Sequence, residues 1–156
     1  MTKTPLSDSK KLLHPIWSYG LVMSQFFWIA VLTILMGLPE NSLSIFIHLL
    51  GIALGLWAVK TMHLGHFNIV PDPLPHLNLV STGPYRYIRH PMYASILIFF
   101  LPAVIFHNNW IVWASYGCLS LTLLLKLIYE EKLISAQCPD YDEYKQHTDR
   151  LIPMIF

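Results

Sequence analysis

"PMYASILIFFLPAVIFHNNWIVWASYGCLSLTLLLKLIYEE", residues 91–131, holds two apolar runs separated by one polar turn, His107-Asn108-Asn109. A turn this tight between two apolar segments makes a helical hairpin. The first arm, 91–106, is only 16 residues long and contains Pro102, so a kink or a thin hydrophobic band is expected there. The second arm, 109–129, carries a single lysine, Lys126, near its end. It runs without a break signal into Tyr129-Glu130-Glu131, so its helix is expected to project beyond a hydrocarbon core of roughly 30 Å.

Two more apolar runs precede the hairpin. Residues 15–38 contain no charged side chain in 24 positions, and residues 43–65 are interrupted only by Lys60, which can snorkel to the interface. Gly51 and Gly55 form a GxxxG step, the spacing of a close helix contact. The chain has 156 residues, 54% hydrophobic and 12% charged, against roughly 25% charged in a soluble domain. The expected fold is therefore all-α: a polytopic membrane helix bundle with about four transmembrane helices (15–38, 43–65, 91–106, 109–129). A C-terminal hairpin and cytoplasmic tail helices complete a single domain, 1–156. No small-residue cleavage site closely follows the first run, which is read as retained. Cys118 and Cys138 belong to no CxxC pair and read as packing residues, and a net charge of +1 gives no reason to expect nucleic acid.

The basic residues orient the bundle. Lys3, Lys10 and Lys11 precede the first span, Arg86 and Arg89 lie between the second and third, and Lys132, Lys145 and Arg150 follow the fourth. Lys60 and Lys126 sit at the ends of their spans nearest these segments, and the loops 39–42 and 107–108 carry no lysine or arginine. By the positive-inside rule both termini and the connector 66–90 face the cytoplasm, at the inner membrane if the source is bacterial. Connector and tail then share one face.

The connector has Pro71, Pro73 and Pro75, which exclude a regular helix, and a turn at Ser81–Pro84. Tyr85–His90 is expected as a short interfacial helix with Arg86 and Arg89 on one face, entering the third span at Pro91. Both arginines also suit plain anchoring to lipid phosphate, and Tyr85, Tyr87 and Tyr93 suit an aromatic belt. Glu130 and Glu131 are adjacent on a helix and point about 100° apart, so one can face a pocket while the other faces a basic residue or water. His63, His66, His76 and His90 lack a cysteine or carboxylate at ligand spacing, so no metal is expected.

The stretch 79–95 (LVSTGPYRYIRHPMYAS), followed one hairpin later by Tyr129-Glu130-Glu131, resembles the isoprenylcysteine carboxyl methyltransferase family and the related phospholipid methyltransferases. That pattern runs Gly-x-Tyr, Arg-His-Pro-x-Tyr, then a Glu-Glu pair. Tyr141, Tyr144, Lys145 and Arg150-Leu151-Ile152-Pro153 resemble its closing segment, and His66-Phe67-Asn68 its short motif before the connector. Ala94-Ser95 stands where the family has a small pair containing glycine. The resemblance covers roughly residues 60–156. It implies a membrane methyltransferase using S-adenosyl-L-methionine, with the cofactor held by segments 66–95 and 126–156.

Under that resemblance Arg89 or His90 holds the cofactor carboxylate, and Glu130 or Glu131 accepts from its ammonium or ribose. Tyr93 closes over the adenine or sulfonium, with Gly83, Tyr85 and Pro91 lining the rim. Arg89, Glu130, Glu131 and Arg150 are the candidate catalytic residues, with Arg86 or Arg150 steering an anionic acceptor. The acceptor is a lipophilic small molecule or membrane lipid carrying a carboxylate, thiol, amine or headgroup. The chain has no GxGxxG after a strand, which excludes a Rossmann methyltransferase. An NADPH-dependent membrane reductase of the sterol-reductase type and a non-catalytic membrane subunit are the competing functions.

Overall fold

The computed structural model describes residues 15–39, 41–62, 79–107 and 109–153. Lys3, Lys10, Lys11, His63, His66, His76 and the proline-rich part of the connector lie outside the described residues. Four main helices form the bundle: α1 (Pro15–Met36), α2 (Ser42–Met62), α3 (Pro91–Phe106) and α4 (Trp110–Gln137). A 3₁₀ turn, Gly83–Arg86, precedes α3, and a single short tail helix, α5 (Tyr141–Gln146), follows α4.

The helices begin where the sequence can satisfy their free N–H groups. The Asn41 side chain accepts from the Ser44 N–H at 2.7 Å, and that of Asn109 accepts from the Ile111 N–H at 2.9 Å. Pro91 opens α3 at a position where its missing N–H costs nothing. α1, α2 and α4 are long and apolar enough to cross a membrane. At 1.5 Å per residue α4 extends about 42 Å, whereas α3 reaches about 24 Å, short of a 30 Å core. The third expected span is thus an apolar helix that continues through Pro102 without the length of its neighbours.

Within the bundle α2 packs on α3, α1 packs on α4, and α3 also touches α1 and α4. Leu32, Ala103, Leu119, Leu123 and Leu127 are fully buried between them, while Trp17, Phe26, Phe46, Trp57 and Trp113 stay on the outer surface. Such an apolar exterior suits lipid, where van der Waals fit and a few polar contacts hold helices together. Ser24 and Thr122 supply one such contact, 3.0 Å between their hydroxyls, across α1 and α4. The GxxxG step supplies the fit between α2 and α3. A Cβ on Gly51 would lie 2.8 Å from the Phe99 backbone nitrogen, and one on Gly55 3.1 Å from the Ser95 hydroxyl.

The end of α2, the 3₁₀ turn, the start of α3 and the last turns of α4 meet at one end of the bundle. Lys60, Arg86, Arg89, Lys132, Lys145 and Arg150 belong to these segments or to the tail bound to them, whereas Lys126 lies deeper along α4, beside Gln25 in the middle of α1.

Gly51→Val should destabilise the detergent-solubilised protein by about 1–3 kcal/mol, because the clash is with backbone that has no rotamer to relieve it. Gly20→Ala, which meets nothing within 4 Å, should leave the melting temperature unchanged or slightly raised. Thermal unfolding followed by circular dichroism compares the two.

Candidate functional site

The site is built on a splice between connector and tail. Arg89 N–H donates to the Asp149 carbonyl at 2.8 Å, His90 N–H to Arg150 at 3.0 Å, and Asp149 N–H to Tyr87 at 3.1 Å. These bonds form a parallel bridge between Ile88 and Asp149. The expected helix over Tyr85–His90 is therefore a 3₁₀ turn followed by extended chain. Gly83, at φ +58, sets the turn, and residues 87–90 gain backbone partners from the tail that a helix would have denied them.

This conformation separates the two arginines that a helix would have aligned. Arg86 is exposed, whereas the Arg89 guanidinium turns inward. Its Nε donates to Glu131 Oε1 at 2.7 Å, with both side chains 8% exposed, and its Nη1 donates to the Lys145 and Thr148 carbonyls. Arg150 Nε reaches the second Glu131 oxygen at 3.1 Å. Glu131 thus gathers the connector and the tail onto α4. Tyr144 adds a further tie, its hydroxyl donating to the Tyr85 carbonyl at 2.5 Å.

Glu130, its neighbour, faces the other way. It lines a cavity of about 280 Å³ together with Tyr85, Arg89, His90, Pro91 and Tyr93 from the connector and α3. The Tyr93 hydroxyl donates to Glu130 Oε1 at 2.5 Å, and the His90 and Tyr93 rings stack with centroids 5.4 Å apart and planes within 3°. His90 lies between the two carboxylates: Nδ1 is 3.6 Å from Glu130 and Nε2 3.5 Å from Glu131. His90 Nε2 is nevertheless buried without a hydrogen-bond partner among the described residues. Burial pushes the Tyr85 and Tyr141 phenols well above their usual range, and the Tyr144 phenol up to about 12, so all three remain neutral at physiological pH.

The residues singled out from sequence thus separate by position. Tyr85, Arg89, His90, Pro91, Tyr93 and Glu130 share the cavity wall. Glu131 and Arg150 stand behind it as an ion-paired brace. Gly83 packs against Thr61 and Trp57 of α2, where a Cβ would come within 2.5 Å of the Thr61 hydroxyl. Sequence reading overlooked Gln25 of α1 and treated Lys126 as an ordinary basic residue at a span end. Both line the cavity, with Lys126 Nζ 3.0 Å from Gln25 Oε1 and 5.2 Å from the Tyr93 ring centroid. The signal was present in the spacing: Lys126 and Glu130 are four apart and must share a helix face. Thr148, an acceptor for Arg89, had no comparable signal.

Residues 41–137 match the family described as phospholipid methyltransferase. The match extends from the cap of α2 to the end of α4 and contains every cavity residue except Gln25 and Phe26. A search of curated proteins finds no match to the chain.

Arg89→Met should cost about 3–5 kcal/mol, the usual effect of breaking a buried ion pair from one side. It should also release the tail, so that limited proteolysis cuts after α4 in the variant and not in the wild type. Asp142→Ala removes an exposed pair to Lys145 (2.7 Å) and should leave both measurements unchanged.

Proposed function

The chain belongs to the phospholipid methyltransferase family, and from that premise we propose that it transfers a methyl group from S-adenosyl-L-methionine to a lipophilic acceptor at the cytoplasmic face. Membership makes it a membrane methyltransferase in the general sense, consistent with three helices able to cross a bilayer. The cofactor, the acceptor and the orientation are our inference.

The observation that carries the proposal is the cavity wall, where Tyr85, His90, Tyr93 and Glu130 bring aromatic rings, an imidazole and a carboxylate around one space of about 280 Å³. A concave space lined by aromatic rings and a few convergent polar groups is the usual form of a small-molecule site. The surrounding groups suit S-adenosyl-L-methionine. His90 can donate to its carboxylate, Glu130 can accept from its ammonium or ribose hydroxyls, and the Tyr85 and Tyr93 rings offer faces to the adenine and sulfonium. When bound, the cofactor supplies a methyl group activated by the sulfonium charge.

The protein's own part is positioning and exclusion of water. Glu131, held by Arg89 and Arg150, keeps the connector and tail clamped so that the His90 and Tyr93 rings hold their places. Arg89 is occupied by Glu131 and the tail carbonyls, which leaves His90 as the stronger candidate for the carboxylate. No covalent enzyme intermediate is needed, so orientation and a pre-arranged polar wall carry the rate.

An apolar groove of about 490 Å³ adjoins the cavity and accounts for a lipophilic acceptor. Ile29 and Thr33 of α1, Ile52 and Leu56 of α2 and Phe99 of α3 line it, and Ile96 belongs to both spaces. The acceptor's hydrocarbon tail lies in this groove while its head enters the cavity.

Calorimetric titration of the purified protein should show S-adenosyl-L-methionine binding, weakened about tenfold or more by His90→Ala or Glu130→Gln. Membranes incubated with methyl-labelled cofactor should yield a labelled, organic-soluble product. Binding of NADPH alone, or no label above that of membranes lacking the protein, would overturn the proposal.

A further inference from the structure

At the end of the bundle away from the cavity, Met36 closes α1 and meets His48, which lies about 9 Å into α2. His48 Nδ1 is 2.6 Å from the Ser44 carbonyl oxygen, one turn back on the same helix, and Nε2 is 3.1 Å from the Met36 sulfur. A carbonyl oxygen only accepts, so at that distance Nδ1 carries the ring proton. In a neutral imidazole Nε2 then holds a lone pair, and it faces a thioether, which has lone pairs and no hydrogen to give. Two electron-pair donors thus meet at contact distance on a residue only 8% exposed. Phe99 packs edge-on against the imidazole, centroids 4.9 Å apart and planes at 90°, and so fixes its direction. A second ring proton would fill the gap only as a buried cation with a weak sulfur acceptor, whereas a soft metal ion bonds to both atoms.

We propose that His48 Nε2 and Met36 Sδ form a binding site for a soft monovalent metal ion of the Cu(I) class. The site is remote from the cavity, and the inference is independent of the methyltransferase reading. Its outer contact has the form such sites take: a ligating histidine donates its other ring N–H to a backbone carbonyl, as His48 does to Ser44. Thioether and imidazole together select Cu(I) over hard ions. No group of three His, Cys, Asp or Glu side chains that could hold a metal occurs among the described residues, so a divalent ion lacks its usual ligands here. A single charge also costs less to bury than a double one where no anionic ligand offsets it. Metal bonds to nitrogen and sulfur run about 2.0 and 2.3 Å, so donors this close subtend roughly 90° at a shared ion. The flexible Met36 side chain can open that angle. Beside it lies a space of about 10 Å³, bordered by Met36, Ser44 and His107, which brings a second imidazole to the same end. An ion here would tie α1 to α2, which pack on α4 and α3 respectively and touch each other little.

The probe is Ag(I), a redox-stable ion of the same class, added to the detergent-solubilised full chain in a Cys118→Ser, Cys138→Ser background, because thiolates would compete for it. This chain should hold one Ag(I) tightly, with nitrogen and sulfur ligands by X-ray absorption, and its melting temperature should rise on binding. Met36→Leu and His48→Phe should each weaken that binding about tenfold or more. Met23→Leu, at an exposed methionine of the same helix, should change it less than about twofold. Excess Zn(II) should leave the bound Ag(I) in place. Absence of a tight site with mixed nitrogen and sulfur ligation in the parent chain overturns the inference, even if the variants fail to fold. So does binding that survives either Met36→Leu or His48→Phe, and displacement by Zn(II) overturns the assignment to a soft ion.

Discussion

The carboxylate of Glu131 is the point on which the site end of the bundle depends. It receives Arg89 from the connector and Arg150 from the tail, and so ties both segments to α4. Burying such charges carries a desolvation penalty of several kcal/mol per ion, offset here because the guanidinium of Arg89 also satisfies tail carbonyls. What that arrangement provides is order. With Arg89 fixed, the Ile88–Asp149 bridge sets the backbone, Pro91 starts α3, and the His90 and Tyr93 rings stack beside Glu130.

The second constraint is depth. In hydrocarbon a polar side chain must find a partner within the protein, either on its own helix, as Ser95 does at the Met92 carbonyl, or across helices. Ser24 with Thr122 and Gln25 with Lys126 are consecutive on α1 and one turn apart on α4, forming a two-rung polar ladder between these helices. The lower dielectric that makes each rung necessary also strengthens whatever charge the cavity presents to a ligand. α1 is therefore a wall of the site as well as a membrane helix, although it stands outside the family match.

Several features were legible along the chain because they depend only on local pattern. The hairpin follows from two apolar runs around His107–Asn109, and the close α2–α3 contact follows from Gly51 and Gly55. The region before α3 was misjudged for the opposite reason. Tyr85–His90 has enough helix formers to suggest a short helix, but its backbone bonds go to Asp149 and Arg150, whose proximity no local pattern encodes. The division of labour between Glu130 and Glu131 was foreseen as a possibility of helical geometry, without a means of telling which residue would take which role.

Composition and run length, read from the sequence by itself, determined a bundle of apolar helices, three of them long enough to cross a membrane. The reason is that burial in hydrocarbon penalises charge and rewards apolar length regardless of how helices pack. Tertiary structure alone decided that Glu131 braces while Glu130 faces the cavity, that Arg86 is exposed while Arg89 is buried, and that Gln25 meets Lys126. Each of those outcomes rests on the angular position of one side chain against a partner distant in sequence. Helical periodicity places residues on faces, and only packing decides what each face meets.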